Sequence, residues 1–171
     1  GADVYAAAYS SSGSRTWCDH FGTNDDEYAG AAAKYGSTSF LGGRTNGDMY
    51  ATNQGGDDAW LAEYSSSGSL QWGVQFGTSS AEDVTSMVSI SGYVYAGGST
   101  GGSLGGTSAG SYDWWCACYD GNGNQQWIVQ NGTSHDDEVR ALGRTTDGEL
   151  LVGGETAGDL VTPSIGGQDV W

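Results

Sequence analysis

The sequence predicts an all-β protein assembled from repeated, four-stranded antiparallel sheets. Three observations carry that expectation. One stretch, Asp58 to Thr78 (DAWLAEYSSSGSLQWGVQFGT), recurs as Asp3 to Thr23 (DVYAAAYSSSGSRTWCDHFGT) and as Asp113 to Thr133 (DWWCACYDGNGNQQWIVQNGT). The copies are in register: Asp3, Asp58 and Asp113 are 55 residues apart, as are Trp17, Trp72 and Trp127, while Asp169 follows Asp113 by 56. Apolar residues alternate over short runs bounded by Gly and Ser, and no helical period is sustained. A period of this length marks propellers, solenoids or arrays.

The elements follow in order. Gly1 to Gly22 reads as a hairpin whose two faces are both apolar, so both should be covered. Ser10 to Ser14 is its turn, with Gly13 free to take positive φ. Asn24 to Glu27 forms an acidic corner. Tyr28–Lys34 and Phe40–Thr45 read as a second hairpin, whose Ala and Gly residues let neighbouring backbones approach closely. Asn46 to Gly55 returns the chain to the next copy. The second unit repeats this order with Asp58–Tyr64, Gln71–Phe76, Val84–Ser89 and Tyr93–Gly98. The third does so with Trp114–Tyr119, Gln126–Gln130, Val139–Gly143 and Leu150–Gly154. Its one extra residue falls at or near the turn Thr146-Asp147-Gly148, where an insertion disturbs least.

About four short strands per 55-residue repeat suggest propeller-type blades. The small-residue hairpin would be the inner pair and the Trp-bearing hairpin the outer pair. The expected organisation is one repeat domain over 1–171: repeat 1 at 1–55, repeat 2 at 56–110, repeat 3 at 111–166, and the start of repeat 4 at 167–171. Three blades are fewer than the roughly four to eight of a typical ring. Gly1–Tyr5 and Gly167–Trp171 are also copies of one strand start and would compete for one slot. The expectation is a part of a larger propeller or array, or closure with other copies of the chain.

Composition narrows the partners. The formal net charge is −16, from 21 acidic and 5 basic residues. That argues against a nucleic-acid partner, whose phosphates need Lys and Arg, and against anionic membrane surfaces. There are 31 Gly and one Pro, a balance that alone would fit disorder, but 12% aromatic residues held in register argue for packed strands. No apolar run is long enough to span a bilayer.

The pattern D-x-W-x-x-x-Y-x-x-x-G-x-x-x-W-x-x-x-x-G-T leads on to a G-G-x-T motif, in Gly42–Thr45, Gly97–Thr100 and Gly153–Thr156, and then back to G-x-D. It resembles the bacterial and archaeal β-propeller repeat called SBBP, over nearly the whole chain. The resemblance implies propeller blades in secreted or envelope-associated proteins, with no defined catalytic residues. The Tyr-x-x-x-Gly-x-x-x-Trp core also resembles the Trp-docking repeat of pyrroloquinoline-quinone dehydrogenase propellers. That family's vicinal cysteine pair is missing, because Ala117 separates Cys116 from Cys118.

Several residues are candidates for chemistry. The acidic corners Asp25-Asp26-Glu27 and Asp136-Asp137-Glu138, with Glu82-Asp83 between them, offer oxygens to a hard cation, and calcium is the candidate. The alternative is that strand-entry carboxylates accept backbone N–H bonds. Asp120 to Asn124 has part of a calcium-loop spacing without the later bidentate Glu, and reads better as a hairpin turn. Cys116 and Cys118 share a strand face, where disulfide geometry is poor; they are weak metal candidates and read as small buried residues. His20 and His135 have no partner nucleophile in view, so no triad is supported. Asn131-Gly132-Thr133 is an N-glycosylation sequon as well as the repeat's strand-ending motif. The aromatic ladder comprises Trp17, Trp72 and Trp127 in one set and Tyr5, Trp60, Trp115 and Trp171 in another. It reads as packing between blades, with Trp114 outside the register as the better sugar-stacking candidate.

The function expected from the sequence is non-catalytic: an extracellular structural or adhesive repeat protein, secreted or at the cell surface. Its partners would be copies of itself, other surface proteins or glycans, as in a surface layer or filament. The alternative is a fragment of a quinone-dependent propeller dehydrogenase. No cofactor other than calcium is expected.

Overall fold

The computed structural model describes residues 1–160 and 168–170. All regular structure among them is antiparallel β, as expected. β1 (Val4–Tyr9) and β2 (Arg15–Phe21) form a separate hairpin. β3 (Glu27–Tyr35), β4 (Thr38–Thr45), β5 (Asp58–Tyr64) and β6 (Leu70–Phe76) make one four-stranded meander. β7 (Ser86–Ile90), β8 (Tyr93–Thr100), β9 (Asp113–Tyr119) and β10 (Gln125–Asn131) make a second. β11 (Asp137–Arg144), β12 (Leu150–Thr156) and the two-residue β13 (Asp169–Val170) make the third sheet. Trp171 lies outside the described residues.

Sheet and sequence repeat are out of phase. Each four-stranded sheet joins the small-residue hairpin of one repeat to the Trp-bearing hairpin of the next, so β4 pairs with β5 and β8 with β9. The tie that closes each sheet therefore crosses a repeat boundary. β13 enters the same way, with Thr156 opposite Asp169 as Thr45 is opposite Asp58 and Thr100 opposite Asp113.

Small residues do what their size allows. β3 packs beside β7, and β7 beside β11. At Gly30 a bulge shifts the β3–β4 register, and a Cβ there would lie 1.9 Å from the Val84 carbonyl oxygen. Only glycine permits that approach between sheets. The Trp-bearing hairpins share one turn, in which Gly13, Gly68 and Gly123 take φ of 79°, 81° and 79°. The extra residue of the third repeat sits in the β11–β12 connection. The β3–β4 and β7–β8 connections are the pairs Gly36-Ser37 and Ser91-Gly92, whereas 145–149 link β11 to β12 through a wider turn closed by Thr145 and Glu149.

Successive sheets meet through a repeated aromatic contact. Phe21 stands edge-on to Trp60 at 5.8 Å and leans on Tyr64. One repeat later, Phe76 stands edge-on to Trp115 at 5.5 Å and leans on Tyr119. Trp17 lies against the Gly68 turn, and Trp72 against the Gly123 turn. The indole N–H of Trp60 donates to the Arg44 carbonyl, and that of Trp115 to the Ser99 carbonyl. Equivalent positions thus have equivalent surroundings in the first two copies. Trp127 keeps the contact that Trp72 makes with Phe40, here with Tyr95, but it is 39% exposed and no turn of a following hairpin lies against it among the described residues.

Trp115 is fully buried at the junction of two sheets. Trp115→Ala is expected to cost about 3–5 kcal/mol, read as a lowered urea midpoint, because it leaves a large cavity. Trp127→Ala, on an exposed face, should cost clearly less in the same titration.

Candidate functional site

The acidic residues fall into two groups with different tasks. The first is a set of buried carboxylates in register: Glu27, Glu82 and Asp137, each 55 residues from the next. Glu82 accepts the Thr78 backbone N–H at 2.5 Å, the Thr78 hydroxyl at 2.7 Å and the Thr100 hydroxyl at 2.6 Å. Glu27 accepts the same three donors from Thr23 and Thr45 at 2.7, 2.7 and 2.9 Å. Asp137 accepts the Thr133 N–H and hydroxyl at 2.6 and 3.0 Å and the Thr156 hydroxyl. Each carboxylate therefore clips the end of an outer strand (β2, β6 or β10) to the end of a strand in the following sheet (β4, β8 or β12). A buried carboxylate needs such donors, because charge-assisted bonds must replace its lost water.

A second registered set braces the connections. Asp58 accepts the Gln54 N–H at 3.1 Å and the Gln75 side-chain amide at 3.0 Å. Gln75 also accepts the Met49 and Tyr50 N–H groups, at 2.9 and 3.1 Å, fixing the connection to its own sheet. Asp113 and Gln130 repeat this with Ala109, Leu104 and Gly105. In the first hairpin the same positions hold Asp3 and His20, 3.3 Å apart. His20 is thus the counterpart of the bracing glutamines. The glycine of the Gly-Thr motif lies against both carboxylate sets: a Cβ on Gly77 would be 2.2 Å from Asp58 Oδ1 and 2.7 Å from Glu82 Oε2.

The second acidic group faces a cavity of about 270 Å³, lined by Arg44, Asp57, Asp83, Tyr112, Asp136 and Glu138 among others. Arg44 pairs with Asp57 at 3.3 Å and lies over the Tyr28 ring at 4.7 Å. Asp83 accepts the Ser99 N–H and hydroxyl at 2.8 and 3.1 Å. Glu138 meets Arg140 at 2.9 Å, and Arg140 also reaches Glu155 at 3.3 Å. Burial and the nearby Asp83 carboxylate still push the Glu138 carboxyl above its ordinary pKa.

The calcium candidates are thus dispersed. Asp25-Asp26-Glu27 and Asp136-Asp137-Glu138 sit at the heads of different sheets. Glu27 and Asp137 direct their oxygens at threonines; Asp26 accepts the Ala2 N–H at 2.7 Å, and Asp136 the Tyr112 N–H at 3.4 Å. Asp25 is exposed, with its N–H on the Thr23 hydroxyl. Among the described residues no three His, Cys, Asp or Glu side chains converge as a metal site would need. Asp120 closes its hairpin turn by accepting the Asn122 and Asn124 N–H groups at 2.9 and 3.0 Å.

The other candidates are placed as follows. Cys116 and Cys118 are buried in β9, and Cys18 is exposed. Burial, then the neighbouring Cys118, pushes the Cys116 thiol up to about 12, so it is a protonated thiol at neutral pH. His135 is exposed beside Ser134 at 3.2 Å. Trp114 is half-buried. Asn131 is exposed at the end of β10, in the position held by Phe21 and Phe76 in earlier copies, and its side chain accepts the Gly132 N–H.

No protein-family model matches the chain, and a search of curated proteins found no match either.

Two outcomes check this picture. Glu138 holds its proton more tightly in the folded than in the unfolded chain, so its ionised form costs stability at neutral pH. That cost fades as pH falls through the raised pKa and is absent below the ordinary carboxylate pKa. Glu138→Gln should therefore raise the melting temperature at pH 7, with the gain shrinking in acid. In thiol labelling, Cys18 should react in the folded protein, and Cys116 and Cys118 only after denaturation.

Proposed function

We propose that this chain is a structural or adhesive repeat protein of propeller-type blades that works outside the cell by contact rather than by catalysis. One observation carries the reading: the residues that recur at the fixed interval join one sheet to the next. The Phe–Trp–Tyr clusters and the carboxylate–threonine clips recur between successive sheets, while the Asp–Gln braces recur within each sheet. Such a chain is a stack of near-identical interfaces, and its stability grows with each neighbour added. The strong net negative charge, −16, supports solubility at high local concentration. Copies of itself, other surface proteins and glycans are the partners this reading names.

The test is an image of the purified assembly beside a binding and turnover assay. The expected result is particles, strings or filaments larger than one chain, or retention on a glycan surface. Dye reduction dependent on added pyrroloquinoline quinone and Ca²⁺ would instead make the chain part of a dehydrogenase.

A further inference from the structure

The contact between sheets has two halves, and among the described residues one of each half is uncovered. The first half is a stripe on an outer strand: Trp17, Asp19 and Phe21 on β2; Trp72, Val74 and Phe76 on β6; Trp127, Val129 and Asn131 on β10. The second half is a face on the next Trp-bearing hairpin: Trp60, Ala62 and Tyr64 on β5; Trp115, Ala117 and Tyr119 on β9. The β2 stripe is covered by the β5 face, and the β6 stripe by the β9 face. The β10 stripe has no such cover among the described residues, and Trp127 and Val129 are 39% and 44% exposed. The matching face on β1 is Tyr5, Ala7 and Tyr9, with the two tyrosines 56% and 61% exposed.

We infer that a second copy of this chain docks head to tail, its β1–β2 hairpin covering the Trp127–Val129 stripe of the first. This rests on the self-association named in the proposed function. The occupant follows from continuity with an interface the chain already makes twice. The aromatic–Ala–Tyr face is the same in kind at β1, β5 and β9, and the Trp that receives it is the same at β2, β6 and β10. The sheet edge agrees. β4 pairs with β5 from Ser39 to Thr45, whereas β12 meets β13 only at Glu155 and Thr156, leaving the edge at 150–154 open among the described residues. In the β4–β5 register, β1 of the second copy sets its Asp3 opposite Thr156 and its Tyr9 opposite Leu150, taking the place of the two-residue β13. That is strand addition to an open edge, with side-chain specificity supplied by the stripe. Trp72 donates its indole N–H to Gly121 in the covering turn. The corresponding acceptor for Trp127 is the Ser11 carbonyl of the second copy. The interface is heterologous, so a pair of copies keeps one free stripe and one free face and can add further copies.

The test uses sedimentation of the whole chain and of two variants, Trp127→Arg and Tyr9→Arg. Both residues are exposed, so unfolding curves serve to confirm that each variant keeps its fold. The wild type should form chains or rings whose size grows with concentration. Each variant alone should sediment as a monomer, with its dissociation constant raised about tenfold or more, as for loss of an aromatic anchor. An equimolar mixture should form a heterodimer and stop there, because one intact stripe then meets one intact face. A wild type that stays monomeric overturns the proposal. So does an assembly that both variants retain, although self-association through another surface would then still stand. A mixture that remains monomeric overturns the head-to-tail arrangement.

Discussion

The fold depends on keeping a carboxylate away from water without leaving it unpaired. Glu82 is buried yet accepts three short hydrogen bonds, two of them from hydroxyls in different sheets. Removing any one donor leaves charge or polar atoms stranded, a cost of about 1–3 kcal/mol per group. The requirement sets the nearby sequence. A threonine must end the outer strand, glycine must precede it because two carboxylates crowd its Cα, and a second threonine must end the paired strand. The Gly-Thr and Gly-Gly-x-Thr motifs are the donor sites of this clip.

The clip fixes where one sheet ends and the next begins, and the aromatic cluster covers the space between them. The two act at different places. The clip sits at strand ends, around Thr78 and Thr100, while Phe76, Trp115 and Tyr119 fill the apolar interval beside it. Polar bonds give register, and the rings supply the largest fully buried side chains, Trp60, Trp115 and Tyr64. Because both devices recur in each unit, no single core gathers the described residues. Two clusters lie instead between successive sheets.

The strands, their turns and the positive-φ glycines were legible in the sequence, since alternation and Gly13, Gly68 and Gly123 are local signals. The phase of the sheets was not. A periodic string looks the same wherever it is cut, and only the hydrogen bonds of β4 to β5 reveal that the pairing crosses the cut. The clip was hidden by a coincidence of letters. Asp25-Asp26-Glu27 and Asp136-Asp137-Glu138 invite a match of Glu27 with Glu138, but the fixed interval matches Glu27 with Asp137. The slip to 56 comes later, in the wide turn before β12. Strict counting from Glu27 to Glu82 to Asp137 would have found it. Likewise, His20 looked isolated because histidine does not resemble the glutamine it replaces.

Among the described residues the β1 side of the β1–β2 hairpin carries no paired strand, whereas β5 and β9 are held there by β4 and β8. Three edges, those of β4, β8 and β12, offer it much the same backbone template, and β4 and β8 hold β5 and β9 instead. At the β4 edge the groove is filled by Trp60 and Leu61, both fully buried, where β1 carries the smaller pair Tyr5 and Ala6. A fold made of interchangeable parts thus carries its own hazard of strand exchange between neighbouring nascent chains.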